Sequence, residues 1–235
     1  MKIGTAPDDD LVLLPGRAAF VPATRTLLVA DVHLGKAATF RRAGIPVPEG
    51  SAQRDLDRLA ALAAEHAARR VIVLGDLVHA RSGCTDAVID EFRAARSRIT
   101  ADMVLVLGNH DRGLGMSPAA LAGRLGIDTC LPVLDEPPFH LVHEPSADLA
   151  PARRTLFTIA GHLHPTVALR SPSGDRFADR CFVAEQSLLV LPAFGSFTGG
   201  HRVSYADGMR LWIGRDDGVA EVTTIAAQSH RARRG

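Results

Sequence analysis

Four short segments of this 235-residue chain place carboxylate, amide and imidazole groups directly after apolar runs. Thr26–Ala30 leads into Asp31-Val32-His33, and Val71–Leu74 into Gly75-Asp76. Met103–Leu107 leads into Gly108-Asn109-His110-Asp111, and Thr155–Ala160 into Gly161-His162-Leu163-His164. Ligand sites on open α/β sheets lie at the carboxyl ends of strands, so these groups are expected to converge on one rim. Asp31 and His33 are two apart, as are His162 and His164, and in extended backbone such pairs point the same way. Glycines at 75, 108 and 161 permit tight turns and close approach of backbone to a ligand. Imidazole, carboxylate and side-chain amide together suit borderline divalent ions such as manganese, iron or zinc. The absence of cysteine from the set argues against structural zinc. There are donors enough for two ions, with Asp76 the natural bridging carboxylate. Singly each segment is weak, since Asp-x-His recurs in loops by chance and Gly-Asp is ordinary turn chemistry. Four in this order, each after a strand, are hard to assign to coincidence.

The elements that must position these groups follow from periodicity. Ser51–Arg69, with Ser51 as N-cap and Leu56, Leu59, Ala63 and Ala67 at three- and four-residue spacing, reads as an amphipathic helix. Thr85–Arg98 reads as a second, with Ala87, Val88, Phe92 and Ala95 inward, and Ala119–Leu125 as a short third ending at Gly126. With strands at Thr26–Ala30, Val71–Leu74 and Met103–Leu107, the first half is a β-α-β-α-β succession, implying a largely parallel, buried sheet. After Cys130 the texture turns to strands: Phe139–Val142, Thr155–Ile159, Thr166–Leu169, Phe182–Ala184, Leu188–Leu191, Arg210–Ile213 and Val219–Ile225. Turns at Ser171-Pro172-Ser173-Gly174 and Asp216-Asp217-Gly218 punctuate them. The expected fold is α/β: two mixed sheets packed face to face with helices outside, one domain over residues 1–228. Residues 229–235, with His230, Arg231, Arg233 and Arg234, are expected to form a basic, mobile tail.

Composition sets the outer bounds. Hydrophobic residues make up 46% and charged residues 23%, too apolar for a disordered chain. A net charge of +1 argues against wholesale coating of nucleic acid, while leaving room for a local basic strip. No apolar run approaches the roughly 20 residues of a membrane span. Met1–Asp10 carries three aspartates and no export-signal core. Cys84, Cys130 and Cys181 follow no metal-ligand spacing and read as reduced thiols, so a cytoplasmic setting is expected. Ten histidines beside one Trp and one Tyr are the compositional oddity.

The series Asp31-x-His33, Gly75-Asp76, Gly108-Asn109-His110-Asp111, His143 and Gly161-His162-x-His164 resembles the calcineurin-like metallophosphoesterase superfamily, over roughly residues 26–200. The resemblance implies a four-layer β-sandwich flanked by helices, with a dinuclear metal centre at the strand ends. It implies one divalent ion on Asp31, His33, Asp76 and His164, and a second on Asp76, Asn109, His143 and His162. Manganese is the first expectation, with iron or zinc as alternatives. His110 would be the non-ligand histidine beside the scissile phosphate, oriented by Asp111 or Asp31 and protonating the leaving alkoxide, with Asn109 stabilising developing charge. His140 is the rival to His143; on one strand the two point to opposite faces, and His143 sits at its end.

Ala30-Asp31-Val32-His33-Leu34-Gly35-Lys36, Gly75-Asp76-Leu77-Val78-His79 and Leu191-Pro192-Ala193-Phe194-Gly195-Ser196-Phe197-Thr198-Gly199-Gly200 are similar to the bacterial ligase-associated DNA-damage-response endonuclease and phosphodiesterase group. That likeness implies hydrolysis of phosphodiester bonds in DNA during repair, with a DNA ligase and a helicase-like protein as functional associates. Oligomeric state stays open, with a homodimer as one option. Arg42, His79 and Arg81 are candidate substrate contacts, as are Lys36, Arg41 and His201, and each is equally readable as solvated surface. Phe40, Phe194 and Phe197 could stack on a base, although core packing suits the first two better. The alternatives are a phosphomonoesterase on nucleotides or phosphoproteins, using the same ligands, and a non-catalytic metal-binding scaffold.

Overall fold

In the computed structural model, residues 11–47, 50–146, 155–170, 175–215 and 218–231 are described, with side chains as far as Ser229. The first sheet has six strands in the order β1 (Val12–Leu14), β2 (Ala18–Val21), β3 (Thr26–Val29), β4 (Arg70–Leu74), β5 (Asp102–Val106) and β6 (Thr129–Leu131). β3 to β6 run parallel, as the β-α-β-α-β succession implies. The apolar pattern does not announce β1 and β2, which add an antiparallel meander to the edge of β3.

Two helices follow β3: α1 (Lys36–Arg42) and α2 (Ser51–Glu65). α3 (Asp86–Arg96) separates β4 from β5; α4 (Asn109–Arg112) and α5 (Pro118–Leu125) lie between β5 and β6. α2 ends at Glu65, four residues before the expected stop at Arg69, and Ser51 is its first residue, the cap being left-handed Gly50. α3 takes Thr85 as cap through its hydroxyl and buries Ile89, Phe92 and Ala95, leaving Ala87 exposed. Leu56, Leu59 and Leu62 of α2, with Phe92 and Leu121 of the later helices, cover one face of the sheet.

The second sheet has nine strands: β7 (Leu134–Glu136), β8 (Phe139–Leu141), β9 (Phe157–Ala160), β10 (Pro165–Arg170), β11 (Arg176–Glu185), β12 (Leu188–Val190), β13 (His201–Arg202), β14 (Arg210–Arg215) and β15 (Gly218–Glu221). β11 pairs β10 through its first half and both β12 and β14 through its second. Leu28 and Ile72 of the first sheet pack against Phe182, Leu189 and Trp212 of the second, so the inner faces share one core. The C-terminal stretch read as strand to Ile225 turns helical after β15, and α6 (Thr223–Arg231) covers the outer face of the second sheet. Ser229, placed in the expected tail, is buried in α6 and accepts a hydrogen bond from the Arg170 N–H at 3.1 Å. The layers are therefore helix, sheet, sheet, helix. The segment 171–174, Pro48, Asp216, Asp217 and residues 232–235 lie outside the described residues.

Candidate metal centre

β3, β4 and β5 end side by side and deliver Asp31, Asp76 and Asn109; β8 and β9 of the facing sheet deliver His143, His162 and His164. Backbone pairing continues past the strand ends. Asp31 N–H donates to Gly75 O at 3.1 Å, His33 N–H to Asp76 O at 2.9 Å, and Gly161 N–H to His143 O at 3.0 Å. Both sheets thus feed one rim.

The paired residues converge, but not through extended backbone. Asp31 (φ 56°), His33 (φ 53°), Asp76 (φ 51°), His162 (φ 68°) and His164 (φ 44°) all lie in the left-handed region. That region is unfavourable for residues with a Cβ and persists where the surroundings impose it, typically at functional sites. Contrary to the expectation of extended backbone, left-handed turns at these residues, not alternation along a strand, aim the side chains of each two-residue pair inward.

Two donor groups form among the expected ligands, and a third joins His33 to His79 and His110. Ligand atoms of Asp31, His33 and His164 lie within 4.8 Å of one another, as do those of Asp76, His143 and His162. His164 Nε2 is 3.2 Å from Asp31 Oδ1 and 3.2 Å from His33 Nε2. In the second group, His143 Nε2 is 3.0 Å from Asn109 Oδ1, 3.1 Å from His162 Nδ1 and 3.4 Å from Asp76 Oδ2. Asp76 Oδ2 also stands 3.9 Å from His33 Nε2, which places this carboxylate between the groups. Its Oδ1 is held by the His110 N–H at 2.9 Å.

These residues fit divalent ions on two observations. Asp31 Oδ1 is buried with no hydrogen-bond partner, while Oδ2 accepts the His162 N–H at 2.9 Å. A buried carboxylate oxygen left without a partner is costly, and a cation satisfies it. The histidines also present lone pairs: burial pushes the His33 imidazole down to about 3, so it stays neutral at physiological pH. His143 donates Nδ1–H to the Leu74 carbonyl at 3.0 Å, which leaves Nε2 as the donor atom facing the site.

Two glycines are required sterically. A Cβ on Gly75, itself at φ 76°, would lie 2.2 Å from His143 Nδ1, and one on Gly108 would lie 2.1 Å from Asp76 Oδ1. Only bare backbone fits behind either side chain.

His110 sits at the open side, its ring 36% exposed and Nε2 3.9 Å from Asp76 Oδ2. The expected orientation of His110 by Asp111 is corrected. The Asp111 carboxylate is buried and accepts the N–H groups of Gly108 (3.0 Å), Val78 (3.0 Å) and Leu77 (3.4 Å), tying the ends of β4 and β5 together. The polar contacts of Asp31 go to His162, His164 and His143 rather than His110. Asp76, His79 and His33 are the groups beside His110, the His79 ring 4.9 Å and the His33 ring 5.2 Å from its ring.

Other candidates separate clearly. His140 points away from the site, 2.5 Å from Asp135 on the neighbouring strand. Arg81 donates to Leu114 O at 2.7 Å and exposed Arg42 to Ser82 O, so both guanidinium groups brace loops. The His201 side chain is exposed, although its N–H holds His164 O at 2.9 Å. Phe194 is fully buried with the Arg58 guanidinium 4.2 Å above its ring. Phe40 is not core, since α1 buries none of its residues. Glu144, which the motifs do not single out, lies 3.7 Å from His162 Nε2; its place directly after His143 was the available signal.

The family model for calcineurin-like phosphoesterases matches residues 24–186, and the chain belongs to that family, whose members hydrolyse phosphate esters with divalent metals. Among solved structures it is similar to a nuclease, MPE, from Pseudomonas putida, at 36% identity over 89% of this chain and 94% of that one, with a TM-score of 0.68. It also matches Yfce, a phosphoesterase from E. coli, at 16% identity over 84% of this chain and 98% of that one, with a TM-score of 0.45. An archaeal phosphodiesterase matches at 14% identity over 83% and 97% of the two chains, with a TM-score of 0.39. No curated protein matches in sequence. Among the described residues, no helix is long and apolar enough to cross a membrane.

Proposed function

We propose that this phosphoesterase is a dinuclear, manganese-dependent phosphodiesterase and endonuclease that cleaves DNA during damage repair. The observation that carries the reading is the pair of donor groups, Asp31/His33/His164 and Asp76/His143/His162, joined across Asp76 with Asn109 alongside. Likeness to a nuclease of 36% identity supports a nucleic acid over other diesters.

When bound, two divalent ions supply charge to neutralise phosphoryl oxygens and Lewis acidity to activate a water nucleophile. The chain's own residues do the rest. Asp31, fixed through Oδ2, and Asp76, fixed through Oδ1, each present their other oxygen to the site. His33 presents a neutral imidazole, and His143 turns Nε2 to the site with its Nδ1–H held by the Leu74 carbonyl. His110, half exposed where a phosphate would arrive, hands a proton to the departing alkoxide, a contribution of roughly 10²–10⁴-fold. The Asn109 side chain stands beside the phosphoryl group.

Assay of the manganese-loaded protein against bis-p-nitrophenyl phosphate and p-nitrophenyl phosphate tests the reading. Diester hydrolysis exceeding monoester hydrolysis is expected. Monoester-dominant activity would replace it with a phosphomonoesterase, and no hydrolysis of either with a metal-binding scaffold.

A further inference from the structure

The stretch Leu191–His201 supplies no donor atom to either metal group, yet its backbone grips one of them. Leu191 N–H donates to Ala160 O at 2.8 Å, Phe194 N–H to Ala30 O at 2.8 Å and Gly195 N–H to Asp31 O at 3.1 Å. At the far end His201 N–H donates to His164 O at 2.9 Å. Gly195 also lies against the peptide that joins Val32 to His33, where a Cβ would stand 2.3 Å from Val32 O. Asp31, His33 and His164 are thus all held, through main-chain atoms, by one stretch. The left-handed φ values of Asp31 (56°) and His164 (44°) require such outside support. Among the described residues, no hydrogen bond joins the stretch to Asp76, His143 or His162. His143 leans on Leu74 O instead.

The stretch is itself fastened from α2. Asp55, 4% exposed, accepts the Ser196 N–H at 2.6 Å through Oδ2 and the Ser196 hydroxyl at 2.5 Å through Oδ1. Arg58, one turn along the helix, pairs with Asp55 Oδ1 at 2.9 Å and donates to Phe194 O. Arg17 donates to the same carbonyl at 3.2 Å, and Arg180 to Ser196 O at 2.8 Å and Thr198 O at 2.6 Å. Asp55 accepts from the stretch, whereas the arginines donate to it. Burial, then the charges of Arg58 and Arg180, push the Arg17 guanidinium down to about 10, and Asp55 opposes that shift. Removing the Asp55 carboxylate therefore frees Ser196 and leaves three neighbouring cations to repel one another.

We propose that Asp55 is a positioning residue for one metal ion. Through Ser196 it fixes the stretch that sets Asp31, His33 and His164, and it governs the affinity of that donor group but not of Asp76/His143/His162. The proposal rests on the two-ion reading and adds how one half of the centre is built.

Calorimetric titration of EDTA-treated Asp55→Ala and Asp55→Asn with manganese tests it, with His164→Ala and His162→Ala marking the loss of each group. In Asp55→Ala, the binding step that His164→Ala abolishes is expected to weaken roughly tenfold, the scale for groups that orient metal-binding side chains. The step that His162→Ala abolishes is expected to keep wild-type affinity. Asp55→Asn, which retains one acceptor oxygen, is expected to fall between, and it decides the matter if the alanine variant does not fold. Amide hydrogen exchange of the metal-free proteins gives an independent reading. The Phe194 and Gly195 amides are expected to exchange faster in both variants, and those of Val78 and Gly108, bonded to Asp111, at the wild-type rate. Wild-type affinity at both steps, or unchanged exchange at Phe194 and Gly195, would overturn the assignment. So would equal weakening of both steps, the mark of a merely structural role. A single equivalent bound by the wild type would instead overturn the two-ion reading, with the exchange rates still deciding the role of Asp55.

Discussion

The Nδ1–H of His143 donates to the carbonyl of Leu74 at 3.0 Å, linking a histidine of the second sheet to the last residue of β4 in the first. A carbonyl only accepts, so the contact fixes the tautomer and turns Nε2 toward Asp76, Asn109 and His162. It works because Gly75, next in the chain, has no Cβ to occupy the space of the imidazole.

Gly75→Ala should therefore damage a metal site without touching a ligand. Its methyl group would displace His143 and the left-handed φ would be strained, so the affinity of the Asp76/His143/His162 group for manganese is expected to fall on the scale of 10–100-fold. Isothermal titration calorimetry checks this; unaltered affinity would show that the Leu74–His143 contact does not orient a ligand.

His110→Ala is expected to lower kcat by roughly 10²–10⁴-fold on substrates with poor leaving groups. Metal content should stay at the wild-type level. The check is a series of aryl phosphodiesters of graded leaving-group pKa, beside metal analysis of the purified variant. A uniform loss across the series would remove His110 from the proton-transfer role.

Asp111 is expected to matter for stability more than for chemistry. Asp111→Ala would strand the buried N–H groups of Gly108, Val78 and Leu77. At about 1–3 kcal/mol for each unsatisfied group, the total loss is expected to be about 3 kcal/mol or more. Asp111→Asn, which keeps one acceptor oxygen, should lie between. Urea unfolding measures both. A variant of wild-type stability whose activity becomes more sensitive to leaving-group pKa would return Asp111 to the role of orienting His110.

The convergence of the candidate ligands was legible because they follow strands whose apolar runs are themselves the signal. Asp31, Asp76 and Asn109 come off three parallel strands, and His162 and His164 off a fourth, so sequence order already implied convergence. How the side chains reach the site was not legible. The left-handed φ values of Asp31, His33 and Asp76 are imposed by cross-links between loops, such as His33 N–H to Asp76 O, which join residues distant in sequence. The role of Asp111 was hidden for a similar reason, since two of the three N–H groups it accepts, those of Leu77 and Val78, sit on another loop. β1 and β2 escaped because Leu11–Val21 is broken by Pro15 and Gly16, and pairing with β3 holds the hairpin where local pattern does not. Phe40 was expected to pack in the core, but it sits on α1, a helix the apolar pattern did not announce and one that buries none of its residues.

Whether Asp31, His33 and His164 and Asp76, His143 and His162 would hold two ions that share Asp76 is decided by calorimetric titration of the EDTA-stripped protein with manganese. Two equivalents are expected for the wild type, one for His143→Ala, and weakened binding at both sites for Asp76→Ala. A single equivalent in the wild type, or an Asp76→Ala variant that loses one site and keeps the other at full affinity, would contradict a two-ion centre that shares Asp76.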